Sequence, residues 1–299
     1  MNPSIDKAKV LQEALPYIRE FHGKVFVVKI GGSVMIEENL REAFAKDVVL
    51  LRYVGINVVV VHGGGPQISR VLERFGIRPR FLAGVRKTDE ETMQVVEMVL
   101  SGDINKDIVA LINRFSGENI YAVGLSGRDG RLLKARKIDK KVYFSKIGLP
   151  PPGEDVGLVG EVEEVNTDLI VSLLEGGYIP VIAPVGVGEE GEAYNINADF
   201  VASSIASSLK AEKLIFLTDT EGVKDLRGRL IPTLTEEKAR ELIKEGVIRE
   251  GMVPKVVAGL EALEGGVRKV HIVDGRIPHS VLVEVFTEEG IGTEILQRT

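Results

Sequence analysis

Two lysines and two glycine clusters are the parts of this chain best suited to chemistry on an anion. Lys29 interrupts an apolar, β-branched run (Lys24–Ile30) and leads into Gly31-Gly32-Ser33, while His62-Gly63-Gly64-Gly65-Pro66 closes a second such run, Ile56–Val61. Glycine at the carboxyl end of a buried strand lets backbone N–H groups approach a ligand closely, and the N-terminus of a following helix favours negative charge. A lysine at such a strand end is costly unless it serves an anion, so Lys29 is a candidate phosphate ligand; the alternative is a side chain snorkelling to solvent. Lys255 falls in the first turn of the helix opened by Gly251-Met252-Val253-Pro254, where a cation opposes the helix dipole and calls for an anionic partner. In Asn195-Ile196-Asn197-Ala198-Asp199, Asn197 suits the N-cap of the next helix, but a cap alone accounts for neither Asn195 nor Asp199. A further cluster, Leu217-Thr218-Asp219-Thr220-Glu221-Gly222-Val223, follows a strand.

Other phosphate-handling architectures are excluded by what is missing. The sequence has no GxxxxGK[ST] loop and no protein-kinase motif set. Gly186-Val187-Gly188-Glu189-Glu190-Gly191 has the spacing of a dinucleotide fingerprint, but it runs into Glu-Ala-Tyr-Asn-Ile-Asn before any helix, and its two carboxylates would repel a pyrophosphate. With 299 residues, no Cys, only 4 His and a net charge of -6, disulfides, thiolate metal sites and a basic nucleic-acid face drop out. The N-terminus lacks the apolar core of a signal peptide and no run is long enough to cross a membrane, so a cytoplasmic enzyme without nucleic-acid or membrane partners is expected.

The elements that must position these residues alternate. Lys24–Ile30, Ile56–Val61, Ile179–Pro184, Leu214–Leu217 and Val270–Val273 have the unbroken apolar character of strands buried on both faces. Between them, helical patterns run over Leu40–Tyr53, Pro66–Phe75, Glu90–Arg114, Thr167–Glu175, Ala198–Ser208, Thr235–Glu245 and Lys255–Leu263. The alternation predicts an α/β fold with an open, doubly wound, mainly parallel central sheet and helices on both faces. Gly124–Val165, rich in Gly, Pro and charge, departs from the rhythm and predicts β-hairpins laid over the sheet. Ahead of the first strand, Ile5, Ala8, Leu11, Leu15 and Ile18 fall at helical spacing, an extra amphipathic helix interrupted by Pro16. It either caps its own domain or is an arm that packs on a neighbouring subunit.

The lysine-glycine strand end and the HGGG cluster resemble those of the amino-acid kinase family. Gly84-Val85-Arg86-Lys87-Thr88, Gly124-Leu125-Ser126-Gly127-Arg128-Asp129-Gly130, Gly157-Leu158-Val159-Gly160-Glu161-Val162 and the Asn195–Asp199 run narrow the resemblance to the branch that phosphorylates N-acetyl-L-glutamate in arginine biosynthesis. It extends from about Val25 to the C-terminus. The resemblance implies that Lys29 and Lys255 flank the transferring phosphoryl group, that backbone N–H groups of Gly32 and Gly64 donate to its oxygens, and that Asp199 holds both lysines. It implies that Gly64, Gly65, Arg86 and Asn195 bind the acetylglutamate, with Arg86 on its α-carboxylate. It assigns ATP to Thr218, Asp219, Gly222, Val223, Gly251 and Met252, with Mg²⁺ carried mainly by the ATP phosphates.

The resemblance also implies three segments: an N-terminal oligomerisation helix (1–22), an acetylglutamate-binding lobe (23–208) and a nucleotide-binding lobe (209–299). The N-terminal helix resembles the extension of arginine-inhibited members, in which such helices interlace dimers into a homohexamer, a trimer of dimers. Tyr17, His279, Glu284 and Gly292 are the residues this resemblance puts near an arginine site, and such a ring offers a platform for a PII-type signalling protein. A kinase of an amino-modified α-aminoadipate in lysine biosynthesis shares most of these motifs, but the N-terminal helix and Arg86-Lys87-Thr88 favour acetylglutamate. A catalytically silent arginine sensor would need neither lysine nor Asp199. Replacing Lys29 with Ala is expected to lower kcat by orders of magnitude while leaving the thermal unfolding midpoint nearly unchanged; near-normal turnover in that variant excludes the assignment.

Overall fold

Runs of Val, Ile and Phe without polar interruption can be satisfied only in strands covered on both faces, and in the computed structural model, which describes residues 3–297, they are. Eight strands form the central sheet, in the spatial order Thr233–Thr235, Thr293–Leu296, Lys269–Asp274, Lys213–Thr218, Val25–Ile30, Asn57–His62, Tyr178–Ala183 and Tyr121–Ser126. Every neighbouring pair is parallel except Lys269–Asp274 with Thr293–Leu296. Alternation along the strands divides the core in two. Val27, Val59, Val61, Leu214 and Phe216 face one apolar cluster, and Phe26, Val28, Val58, Val60 and Ile215 face the other.

Register decides where the chemistry emerges. Lys29 lies opposite Val61 on one side and Phe216 on the other, and Ile30 opposite His62. Both glycine clusters therefore leave the sheet side by side, at the carboxyl ends of adjacent parallel strands. The first strand has the next strand in sequence on one flank and a strand from far along the chain on the other, so this edge is also a topological switch point, the usual ligand crevice of an open α/β sheet.

The Gly124–Val165 region differs from the expected hairpins over the sheet. Tyr121–Ser126 is the parallel edge strand of the sheet itself. Leu133–Lys137 and Val159–Val165 do pair antiparallel, but with Val185–Val187 and Ala193–Ile196 they close a small barrel, and a helix, Lys140–Lys146, connects them, capped by Asp139. The fingerprint-like glycines at 186–191 form the antiparallel turn between two of the barrel strands and open no helix.

Two helices also differ in detail. Pro3–Phe21 is a single helix that continues through Pro16, whose ring sits on an exposed face where the missing N–H is tolerated. Its Leu11 and Leu15 are exposed; the side chains of Ile5 and Ala8 lie outside the described residues. The helix expected over Glu90–Arg114 spans Glu90–Phe115, but its middle, Met98–Ile104, is a wide π-helical turn. Among the described residues no helix is long and apolar enough to cross a membrane.

Candidate active site

Asn197 caps the helix Ala198–Ser208 by accepting from the Asp199 N–H at 2.8 Å, as its sequence position predicts, and so sets Asp199 in the first turn beneath the sheet edge. There the Asp199 carboxylate meets both lysines: Lys29 Nζ is 2.9 Å from Oδ1 and Lys255 Nζ 2.9 Å from Oδ2. Lys29 comes from the first strand and Lys255 from the first turn of Met252–Glu264, with Phe216 packed against its ammonium at 5.3 Å. Burial alone raises the Asp199 pKa, but the charges of Lys255 and Lys29 overcome it and hold the carboxyl well below the usual carboxylate range. Burial pushes Lys255 down to about 8 against the pull of Asp199, and Lys29 adds to the lowering. Two ammonium groups share one carboxylate, which leaves a surplus positive charge at the site. An incoming anion would balance it.

The glycines admit what surrounds them. Gly32 is left-handed (φ 58°), and a Cβ there would overlap the Asp219 carboxylate, so this position brings the first glycine loop against the start of the Thr218–Val223 segment. Gly64 heads the helix Gly65–Arg74, and a side chain on it would strike Ile104 and Leu100 from the π-helical turn.

A cavity of about 250 Å³ opens over Lys29 and Asp199 and is also lined by Gly64, Gly65, Arg86 and Asn195. All four substrate-site residues expected from the sequence thus converge. Arg86 donates through Nη2 to the Gly65 carbonyl (2.8 Å) and Ser69 Oγ (2.9 Å), and its guanidinium stacks on Phe81 at 4.7 Å. Its Nη1 is buried with no protein partner, a donor suited to a carboxylate. Asn195 donates to Thr88 Oγ1 at 3.1 Å, which in turn donates to the Arg86 carbonyl at 2.9 Å. Tyr143, from the helix the sequence did not reveal, lines the same cavity. Its hydroxyl pKa is pushed up to about 12, by burial and then by the charge of Asp199.

A second cavity, about 560 Å³, is lined by Asp219, Gly222, Val223 and Met252, four of the six residues expected to hold a nucleotide; Thr218 and Gly251 adjoin it in sequence without lining it. Gly222 (φ 140°) leaves no room for a Cβ beside Thr293. Arg249 and Arg276, which the sequence did not single out, stand in its wall.

A third cavity of about 300 Å³ brings Tyr17, Glu284 and Gly292 together, between the N-terminal helix and the C-terminal strands. His279 is not part of it: left-handed at the head of Ser280–Phe286, it pairs instead with the buried Asp47 at 2.6 Å. Buried side chains the sequence did not single out hold the third cavity's wall. Lys213 Nζ lies 3.0 Å from His271 Nε2, His271 Nδ1 lies 2.6 Å from Glu284, and Glu284 accepts from the N–H groups of Ile291 and Gly292. Burial pushes Lys213 down to about 8.

Residues 24–274 match the profile of the amino acid kinase family. The chain is similar to the acetylglutamate kinase of Aquifex aeolicus (strain VF5), at 73% identity over 295 residues covering 99% of each chain. Among solved structures it resembles N-acetylglutamate synthase from Neisseria gonorrhoeae complexed with coenzyme A and N-acetyl-glutamate, with a TM-score of 0.82 and 29% identity over 98% of this chain; it spans 64% of the synthase's length. The synthase complexed with coenzyme A and L-arginine gives a TM-score of 0.81 at 28% identity, covering 98% of this chain and 66% of the synthase.

Asp199→Asn would leave the buried Lys255 and the partly buried Lys29 ammonium groups without a countercharge. We expect a loss of about 3–5 kcal/mol in unfolding free energy, read from urea denaturation, the cost typical of removing one partner from a buried ion pair. Lys29→Ala, by contrast, leaves Asp199 paired with Lys255. A wild-type urea midpoint for Asp199→Asn would mean that the three side chains do not meet.

Proposed function

The chain belongs to the amino acid kinase family, and we propose that it transfers the γ-phosphoryl group of ATP to the γ-carboxylate of N-acetyl-L-glutamate, the second step of arginine biosynthesis. The observation that carries this reading is the Lys29–Asp199–Lys255 trio, with its surplus positive charge beneath a cavity whose arginine has an unpaired N–H. In this reading the acceptor lies in that cavity with its α-carboxylate on Arg86 and its amide against Asn195, Gly64 and Gly65. ATP occupies the larger cavity, against Asp219, Gly222, Val223 and Met252, with Thr218 and Gly251 flanking it in sequence.

The acceptor brings its own nucleophile. A glutamate side chain has a solution pKa of about 4.3, so at neutral pH its oxygen is already anionic and needs no general base. That oxygen attacks the γ-phosphorus in line, the bond to the β,γ-bridging oxygen breaks, and ADP leaves with the electron pair. N-acetyl-L-glutamyl 5-phosphate forms without net proton transfer. Two anions, ATP and the acceptor, must be drawn together for this, and the work is alignment and neutralisation. Lys29 and Lys255 would flank the moving phosphoryl group, Asp199 would keep both from swinging away, and the N–H groups of Gly32 and Gly64 would donate to its oxygens. Lysine and backbone N–H donors suit an anion and not a cation, so Mg²⁺ would arrive on the ATP phosphates and supply further charge neutralisation there. Residues 23–208 then make up the acceptor lobe and 209–299 the nucleotide lobe, with Lys29 and Lys255 brought together from the two.

We further propose feedback inhibition by L-arginine in the cavity of Tyr17, Glu284 and Gly292, where Glu284 offers a carboxylate to a guanidinium. The arginine complex of the similar synthase supports this. The N-terminal segment 1–22, whose helix Pro3–Phe21 has Leu11 and Leu15 exposed, would interlace dimers into a homohexamer on which a PII-type protein can dock, in the cytoplasm.

With ATP, Mg²⁺ and N-acetyl-L-glutamate, hydroxylamine should trap an acyl hydroxamate, and L-arginine should suppress it. Hydroxamate indifferent to arginine removes the regulation and keeps the kinase; its appearance only with an aminoadipate-type acceptor reassigns the substrate. The kcat/KM for ATP should fall as pH rises through about 8, because free-enzyme Lys255 then loses the proton that gives it its charge. A profile flat to about pH 10 would show that this ammonium is not required.

A further inference from the structure

His62 is wholly buried one residue before the glycines that face the acceptor cavity, and nothing in the mechanism above uses it. Its Nδ1 lies 2.9 Å from the Gly63 carbonyl and its Nε2 lies 3.2 Å from Asn105 Nδ2. A carbonyl can only accept, so Nδ1 carries the hydrogen. The Asn105 amide nitrogen can only donate, so Nε2 presents its lone pair. The two partners specify one neutral tautomer, and burial agrees by pushing the imidazolium pKa down to about 4.

Asn105 is itself fixed. It is the first residue after the π-helical turn, and its Nδ2 also donates to the Val181 carbonyl at 2.9 Å. It reaches that position beneath the edge strand because Gly124 has no side chain; a Cβ there would overlap Asn105 Oδ1. The Gly124-Leu125-Ser126 segment, prominent in the sequence, thus contributes an absence that lets the asparagine in. Ile104 and Leu100 of the same turn pack under Gly64.

The consequence follows from peptide planarity. In a trans peptide the C=O of one residue and the N–H of the next point in opposite directions. Tying the Gly63 carbonyl toward the buried imidazole therefore fixes the direction of the Gly64 N–H, away from His62. The Gly63 N–H is already spent on the Ile30 carbonyl at 3.0 Å.

We propose that His62, locked in its Nδ1–H tautomer by Asn105, is a positioning residue that aims the Gly64 N–H at the transferring phosphoryl group. This rests on the kinase reading above, in which that N–H is a donor to the phosphoryl oxygens. Loss of one preorganised donor typically costs about 100- to 1,000-fold in kcat, and misaiming one costs less.

The test compares three variants of the full chain in the hydroxamate assay and by ¹⁵N NMR of histidine-labelled protein. His62→Phe keeps the ring and removes the tether; it should lower kcat by about 10- to 100-fold with KM for both substrates within about threefold. His62→Asn places an amide N–H near the position of Nδ1 and should recover most of that loss. Asn105→Asp presents an acceptor to Nε2; where His62 changes to the Nε2–H tautomer, Nδ1 loses the hydrogen that holds the Gly63 carbonyl and kcat should fall in step, whereas a doubly protonated His62 keeps Nδ1–H and should keep kcat near wild type. Wild-type turnover in His62→Phe, no recovery in His62→Asn, or a His62 that loses its Nδ1–H in Asn105→Asp while kcat is unchanged, would each overturn the proposal. If His62→Phe fails to fold, the other two variants still decide. If the wild type forms no hydroxamate, the kinase reading fails, while the NMR result still reports whether the tautomer lock exists.

Discussion

One carboxylate between two ammonium groups governs how this molecule is put together. Asp199 is nearly inaccessible to water, and so is Lys255. Burying such charges costs several kcal/mol each, which an apolar trio of the same volume would avoid. The arrangement is therefore poor value as a fold stabiliser and good value as a receptor, because its unbalanced positive charge is poised for an anion. It also constrains the rest of the chain. A strand near the N-terminus, a helix from the middle and a helix from the last third must all end at one point. The parallel register of Val25–Ile30 with both neighbours, the Asn197 cap and the Phe216 ring under Lys255 are what bring them there.

Around that point the site is divided by chemistry. On one side are backbone N–H groups and an arginine with an unused donor, in a cavity sized for a small dicarboxylate. On the other is a wider cavity whose wall carries two arginines. Gly32 lies against Asp219 of the wider cavity, in a left-handed conformation with no room for a Cβ. A cavity over the Lys29–Asp199 pair, with Met252 of the second cavity three residues before Lys255 on the same helix, suits the direct transfer of a group between two bound anions better than a covalent relay through the protein.

Much of this was legible in the sequence because the informative residues lie at strand ends, where a lysine or a glycine is out of character with what precedes it. The five central strands, the two glycine clusters and the Asn197 cap are local signals of that kind. The remainder depended on non-local facts. Tyr121–Ser126 was hidden as a sheet strand because Gly124 looks like a breaker, and its reason for being glycine is a side chain from another helix. The edge strand Thr233–Thr235 and its neighbour Thr293–Leu296 are too short and too polar to show a period. His279 was grouped with Glu284 by the resemblance, whereas in the structure its left-handed backbone places it against Asp47 on another helix. Lys213 and His271 looked like ordinary strand residues, and only the packing of the N-terminal helix shows that they wall a cavity.

The order of strands also sets a timetable for synthesis. Val25–Ile30 acquires its first neighbour, Asn57–His62, within a few dozen residues of emerging, through a parallel crossover, and that half of the sheet is complete once Tyr178–Ala183 has been made. Its other neighbour, Lys213–Thr218, is separated from it by most of the chain, and the outermost pair waits for Thr293–Leu296 at the very end. Until then the nascent protein exposes an apolar strand edge of the kind that pairs indiscriminately. Because Lys255 comes from that later half, Lys29 and Asp199 are made before their third partner, and the site is assembled only once the second half of the sheet has been synthesised.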